Sequence, residues 1–95
     1  MNEILIKFID NIALLKYIHI AAKVTGKCYI KQNEYVVNGK SKQAIETLDI
    51  NKTMLFIFDA FDSKVAEEIK AEFGIEKAFR NSEWYSNLKE NLLVG

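Results

Sequence analysis

Met54-Leu55-Phe56-Ile57-Phe58 is apolar at every position, the pattern of a central β-strand covered above and below. Asp49 to Thr53 leads into it, and Ser41 ahead of Lys42-Gln43-Ala44-Ile45-Glu46 is placed to cap a helix of one to two turns. Further back, Asn38-Gly39 signals a turn. Lys27 to Gln32 alternates, and Gln32-Asn33 separates it from Glu34-Tyr35-Val36-Val37, so the pair reads as a hairpin. Glu3 to Ile9 places Ile4, Ile6 and Phe8 on one strand face, with Leu5, Lys7 and Ile9 on the other. Asp10 or Asn11 then caps a helix over residues 11 to 24 with Leu14, Leu15, Ile18, Ala21 and Ala22 as its apolar stripe, and Gly26 marks its stop. After the central strand, Asp62 or Ser63 caps a second long helix whose stripe is Val65, Ala66, Ile69 and Phe73, ending at Gly74. Ser82 opens a third segment with Trp84, Tyr85, Leu88, Leu92 and Leu93 on one face. The order predicts an α+β open-faced β-sandwich, a four-stranded antiparallel sheet with helices on one face (β-α-β-β-α-β-α) plus an added C-terminal helix.

Composition narrows the function classes. The chain has 95 residues, thirteen Lys+Arg against thirteen Asp+Glu, no proline and one cysteine. One core of ordinary size fits this length. A formal charge of zero supplies no broad positive field, so no nucleic-acid partner and no membrane surface is expected. Arg80 is the sole arginine, which argues against a site built on bidentate guanidinium clamps. Cys28 alone forms neither an internal disulfide nor a thiolate cluster, in keeping with a reducing compartment. No apolar run approaches the ~20 residues of a membrane span, and a signal peptide's basic start is missing. The expectation is a cytoplasmic protein with no cofactor and no metal.

The element order, together with Val36-Val37-Asn38-Gly39-Lys40-Ser41, resembles the HPr family, the small phosphocarriers of the bacterial sugar phosphotransferase system. The resemblance spans residues 3 to 74 and is closest to the HPr-like proteins of clostridia. There a Tyr-Val-Val pattern ends the third strand, Lys-Ser opens the short helix, and Leu-Asp followed by lysine leads to the fourth strand. Here those elements are Tyr35-Val36-Val37, Lys40-Ser41 and Leu48-Asp49 with Lys52. It implies an HPr-like domain over 1–76 and an extension over 77–95, where HPr proteins have already ended. Aligning Asn38-Gly39-Lys40 with the Asn-Gly-Lys turn of other members would put Glu46 at the place of the family's regulatory serine; the frame with Ser41 there needs no deletion before the fourth strand.

A phosphocarrier HPr carries a histidine at the start of its first long helix, followed by arginine and proline. Imidazole is a competent nucleophile near neutral pH, and free amides at a helix N-terminus cradle a phosphoryl group. This chain has Asp10-Asn11-Ile12-Ala13 instead. Its one histidine, His19, lies two turns into the helix, where backbone amides are already paired, and reads as a flank or core residue. Cys28 on an inward strand face reads as a structural thiol. Ser41 is either an N-cap or, as the resemblance implies, a regulatory phosphosite. In the family, apolar residues after that serine form the docking surface; Lys42 and Gln43 stand there in this chain.

If helices cover the face of Ile4, Ile6, Phe8, Cys28, Ile30, Met54, Phe56 and Phe58, the opposite face carries Leu5, Ile9, Tyr29, Val36, Leu55 and Ile57, a patch large enough to need a cover. The C-terminal stripe is a candidate cover, in its own chain or in a homodimer. Lys40, Lys42, Gln43, Trp84, Tyr85 and Leu88 are the candidate interaction residues. The expected function is a non-catalytic, protein-binding or regulatory HPr-like protein, monomer or homodimer, that has lost phosphoryl transfer. The alternative is a ferredoxin-like domain that binds a small ligand as a homodimer, and strand order separates the two.

Overall fold

In the computed structural model, which describes residues 2–75, the alternation around Ile4 and Ile6 forms strand β1 (Asn2–Ile6). Its end precedes the expected Ile9. Lys7 donates its backbone N–H to Phe73 O at 3.0 Å, so the chain turns from the sheet toward a helix end, and Phe8 enters the core from a loop.

Helix α1 (Asn11–Ala21) begins at the Asp10 cap and stops three residues short of the expected 24. Lys23 N–H bonds Ile20 O and Val24 N–H bonds Ala21 O, both at 3.0 Å; these three-residue bonds tighten the chain and end the helix without a glycine. Its buried residues are Ala13, Leu14, Tyr17 and Ala21, while Leu15 and Ala22, assigned inward from spacing, face solvent. Apolar residues surround this helix, so aliphatic spacing alone does not select the buried side.

Strands β2 (Cys28–Gln32) and β3 (Tyr35–Asn38) form the expected hairpin. Asn33 turns it at φ 56°, a left-handed conformation that an asparagine side chain tolerates. Gln32, which the sequence places at both strand end and turn, closes the strand and is buried. Its side-chain amide donates to Asp49 O at 2.7 Å and accepts from Asp49 N at 2.8 Å, tying down the loop that leads to the fourth strand. Helix α2 (Lys42–Ile45) is a single turn. Strand β4 (Met54–Phe58), a 3₁₀ turn (Ala60–Asp62) and helix α3 (Ser63–Phe73) follow.

The sheet is antiparallel in the order β1-β4-β2-β3, so the all-apolar β4 is central, as its composition predicts. Its inward residues Met54, Phe56 and Phe58 are buried; Leu55 and Ile57 on the outer side are half-buried. The inner face receives Ile45 from α2 and Ala66, Ile69 and Phe73 from α3, beside the α1 residues. Tyr17 stands edge-on to Phe8 and Phe56 at centroid distances of 5.3 and 6.0 Å, geometries that aromatic quadrupoles favour. The expected C-terminal helix and the 77–95 extension lie outside the described residues.

Candidate functional site

The start of α1 is where the resemblance places a nucleophile. Asp10 Oδ1 accepts from Ala13 N at 2.8 Å, so a carboxylate caps the helix start and takes one of its free amides. A phosphoryl group approaching there meets negative charge. Ile9 and Ile12 beside it are 80% and 72% exposed, giving this end an apolar surface. His19 is exposed on the outer side of α1, a flank position rather than a core one.

The turn from β3 into α2 is built by side chain and backbone together. Asn38 Oδ1 accepts from Lys40 N at 2.9 Å, and Asn38 O accepts from Ser41 N at 3.2 Å. Ser41 then holds the N-cap position, its Oγ accepting from Ala44 N at 3.2 Å. Lys42 pairs with Glu46 one turn on at 3.2 Å, and Gln43 is exposed. Lys40 reaches across to donate its Nζ to Val24 O, where the α1 end leaves carbonyls open. The structure therefore sets Lys40, Ser41, Lys42 and Gln43 along one turn. Trp84, Tyr85 and Leu88 lie outside the described residues.

Beneath this turn is a buried polar cluster that spacing did not reveal. Tyr17 donates its hydroxyl to Gly39 O at 2.6 Å, and burial pushes the phenol's pKa up. Gly39 N–H bonds Cys28 O at 2.9 Å, and a Cβ at Gly39 would stand 2.8 Å from Cys28 Sγ. Glycine is needed there for that close approach. Burial raises the Cys28 thiol's pKa against the pull of Lys40, which favours the protonated form.

Asp62 occupies the N-cap position of α3 but makes no cap bond with its side chain. Its carboxylate accepts from Thr25 N (3.0 Å), Thr25 Oγ1 (2.8 Å) and Gly26 N (3.1 Å). The Thr25 amide, joined by the Thr25 hydroxyl, the Gly26 amide and Lys40, holds its pKa below the ordinary 3.8 against the opposing effect of burial. Gly26, expected as a helix stop, instead admits the Phe61 ring: a Cβ there would meet it at 2.7 Å.

A cleft of about 430 Å³ opens beside this cluster, lined by Lys27, Tyr29, Val36, Asn38 and Lys40 among others. Every buried side-chain N or O among the described residues has a partner. No group of three or more His, Cys, Asp or Glu among them is arranged to hold a metal ion, and no described helix is long and apolar enough to cross a membrane. No family model, curated protein or solved structure matches the chain.

Proposed function

We propose that this chain is an HPr-like protein of the bacterial cytoplasm that binds or regulates other proteins and has lost phosphoryl transfer. The observation that carries the reading is the strand order β1-β4-β2-β3 with a one-turn helix between β3 and β4. Two β-α-β units interleaved in the ferredoxin-like manner centre the first and third strands; here the second and fourth are central, which favours the HPr-like reading over the small-ligand alternative. The functional part rests on fold-level analogy and on the chemistry of two helix starts. Asp10 takes up the Ala13 amide and sets a negative charge at the helix start where a phosphoryl group would be cradled, which counts against a carrier step. Exposed residues remain at both places: Ile9 and Ile12 beside the start of α1, and Lys40, Lys42 and Gln43 at the start of α2, where Lys40 reaches Val24 O past the other end of α1. In this reading Ser41 serves as the cap of α2, and its phosphorylation would exchange a neutral acceptor for a charged one.

The test is a two-part titration of the isotope-labelled protein with the general phosphotransferase enzyme. With phosphoenolpyruvate, no acid-labile, base-stable adduct forms; such an adduct on His19 would overturn the loss of carrier chemistry. Without it, amide shifts are expected at Asn11 to Ala13 and Lys40 to Gln43, and an unperturbed spectrum at saturating enzyme would overturn the docking role.

A further inference from the structure

The cleft of about 430 Å³ lies where the start of β2 meets the end of β3 and the turn after it. Its volume is in the range of sites that hold small molecules. Tyr29 stands directly opposite Asn38 in the hairpin register, and Val36 opposite Lys31. Alternation therefore puts Tyr29, Val36 and Asn38 on one side of the hairpin. Lys27, just before β2, and Lys40, two residues past β3, line the same cleft.

The polar groups of this lining are donors with little else to bind. Among the described residues Lys27 Nζ, Tyr29 Oη and Asn38 Nδ2 have no hydrogen-bond partner, while Asn38 Oδ1 is taken by Lys40 N. Lys40 Nζ gives one N–H to Val24 O, which holds the ammonium in place and leaves two more. Lys23 and Lys42 are matched by Glu68 and Glu46; Lys27 and Lys40 have no carboxylate partner among the described residues, and none of those lining the cleft is acidic. Asp62 is within electrostatic reach of Lys40, but its oxygens are already held by Thr25 and Gly26. In a chain of zero formal charge, two such ammoniums in one concavity make a local positive field.

We propose that this cleft binds a small organic phosphate monoester, its phosphate held by Lys27 and Lys40 and its apolar body set against Tyr29 and Val36. A phosphate monoester carries close to two negative charges at neutral pH and three acceptor oxygens, which suits two ammoniums flanked by amide and hydroxyl donors. Lysine serves such a group as a point charge and needs no guanidinium fork. Lys27 and Tyr29 take no part in the phosphotransferase docking proposed above, so the two readings stand or fall separately.

The test titrates the isotope-labelled full chain with phenyl phosphate at low ionic strength. Saturable amide shifts are expected at Lys27 to Tyr29 and Val36 to Lys40. Inorganic phosphate, without the ring, should bind several-fold more weakly, as should benzoate, with its single charge; phenol should leave the spectrum unchanged. Lys27→Gln breaks no hydrogen bond or ion pair of the described fold and should weaken phenyl phosphate several-fold, so it decides the matter even where Lys40→Gln disturbs the fold through Val24. Tyr29→Leu should weaken phenyl phosphate but not inorganic phosphate. The proposal is overturned by an unshifted spectrum, by equal affinity for phenyl phosphate and either simpler anion, by a Lys27→Gln variant that binds like the wild type, or by shifts confined to the start of α1.

Discussion

Asp62 links two helix ends, since its carboxylate sits at the start of α3 while its hydrogen bonds go to the loop that follows α1. Its pKa is depressed in the fold, so its contribution is present above the ordinary value of 3.8 and is lost as pH falls through the lower folded value. Asp62→Asn should therefore lower the urea midpoint at neutral pH, and the gap to the wild type should narrow as pH drops below 3.8. A gap that stays constant on acidification would refute this. Tyr17→Phe removes the bond to Gly39 O and should cost ~1–2 kcal/mol in denaturant unfolding, whereas Tyr35→Phe, at an exposed edge position, should cost close to nothing. These polar contacts were invisible to spacing. Asp62 and Ser63 both read as caps, and only the fold brings Thr25 beside one of them, 37 residues away in the chain. Gln32, read both as the end of the strand and as the start of the turn, owes its burial to a loop that follows it by 17 residues.

Among the elements, α2 depends most on a single residue. Ser41 Oγ takes the Ala44 amide, so Ser41→Ala should cost ~1 kcal/mol and Ser41→Asp should be nearly neutral, because the carboxylate accepts the same amide and favours the helix dipole. Thermal melts of the two variants check this, and equal losses would mean that the hydroxyl is not the cap that matters. Gly39→Ala should be worse than either, since the added methyl meets both Cys28 Sγ and the Cys28 backbone. Strands β1 and β2 were legible because alternation with period two survives in them, and β4 because it is apolar throughout: Ile6, Cys28, Ile30, Met54, Phe56 and Phe58 are buried as read, and so is Phe8, from the loop after β1. Helix α3 was legible for a similar reason, since its charged residues leave only one apolar stripe, and Ala66, Ile69 and Phe73 are buried. Helix α1 was not. Ile12, Leu15 and Ala22 are as apolar as the buried set, and the side that packs is chosen by Tyr17, whose ring fits among Phe8, Phe56 and Phe73.

For the molecule as a whole, the aromatic cluster concentrates stability in few side chains. Phe56 is fully buried in the central strand and contacts both Tyr17 and Phe58. Phe56→Ala should cost about 3–5 kcal/mol. A domain of this size holds only about 5–10 kcal/mol in total, so calorimetry should find the cooperative transition shifted down sharply or lost. Element order and inner face were thus readable from the chain, but the order of strands in the sheet was not, because it depends on which long-range pairings win. That order bears on how the chain is born. Among the described residues β1 has one strand partner, β4, and Ile4 meets Phe56 across some fifty residues of sequence, whereas β2 and β3 meet across a two-residue turn. A polypeptide emerging from the ribosome has its hairpin available early but no seat for its first strand until Met54 to Phe58 has cleared the exit tunnel. Ile4 and Ile6 wait in the open during that interval. Closing so long a loop slows folding, so the N-terminal strand is the stretch most exposed to chaperones and to mispairing while the protein is being made.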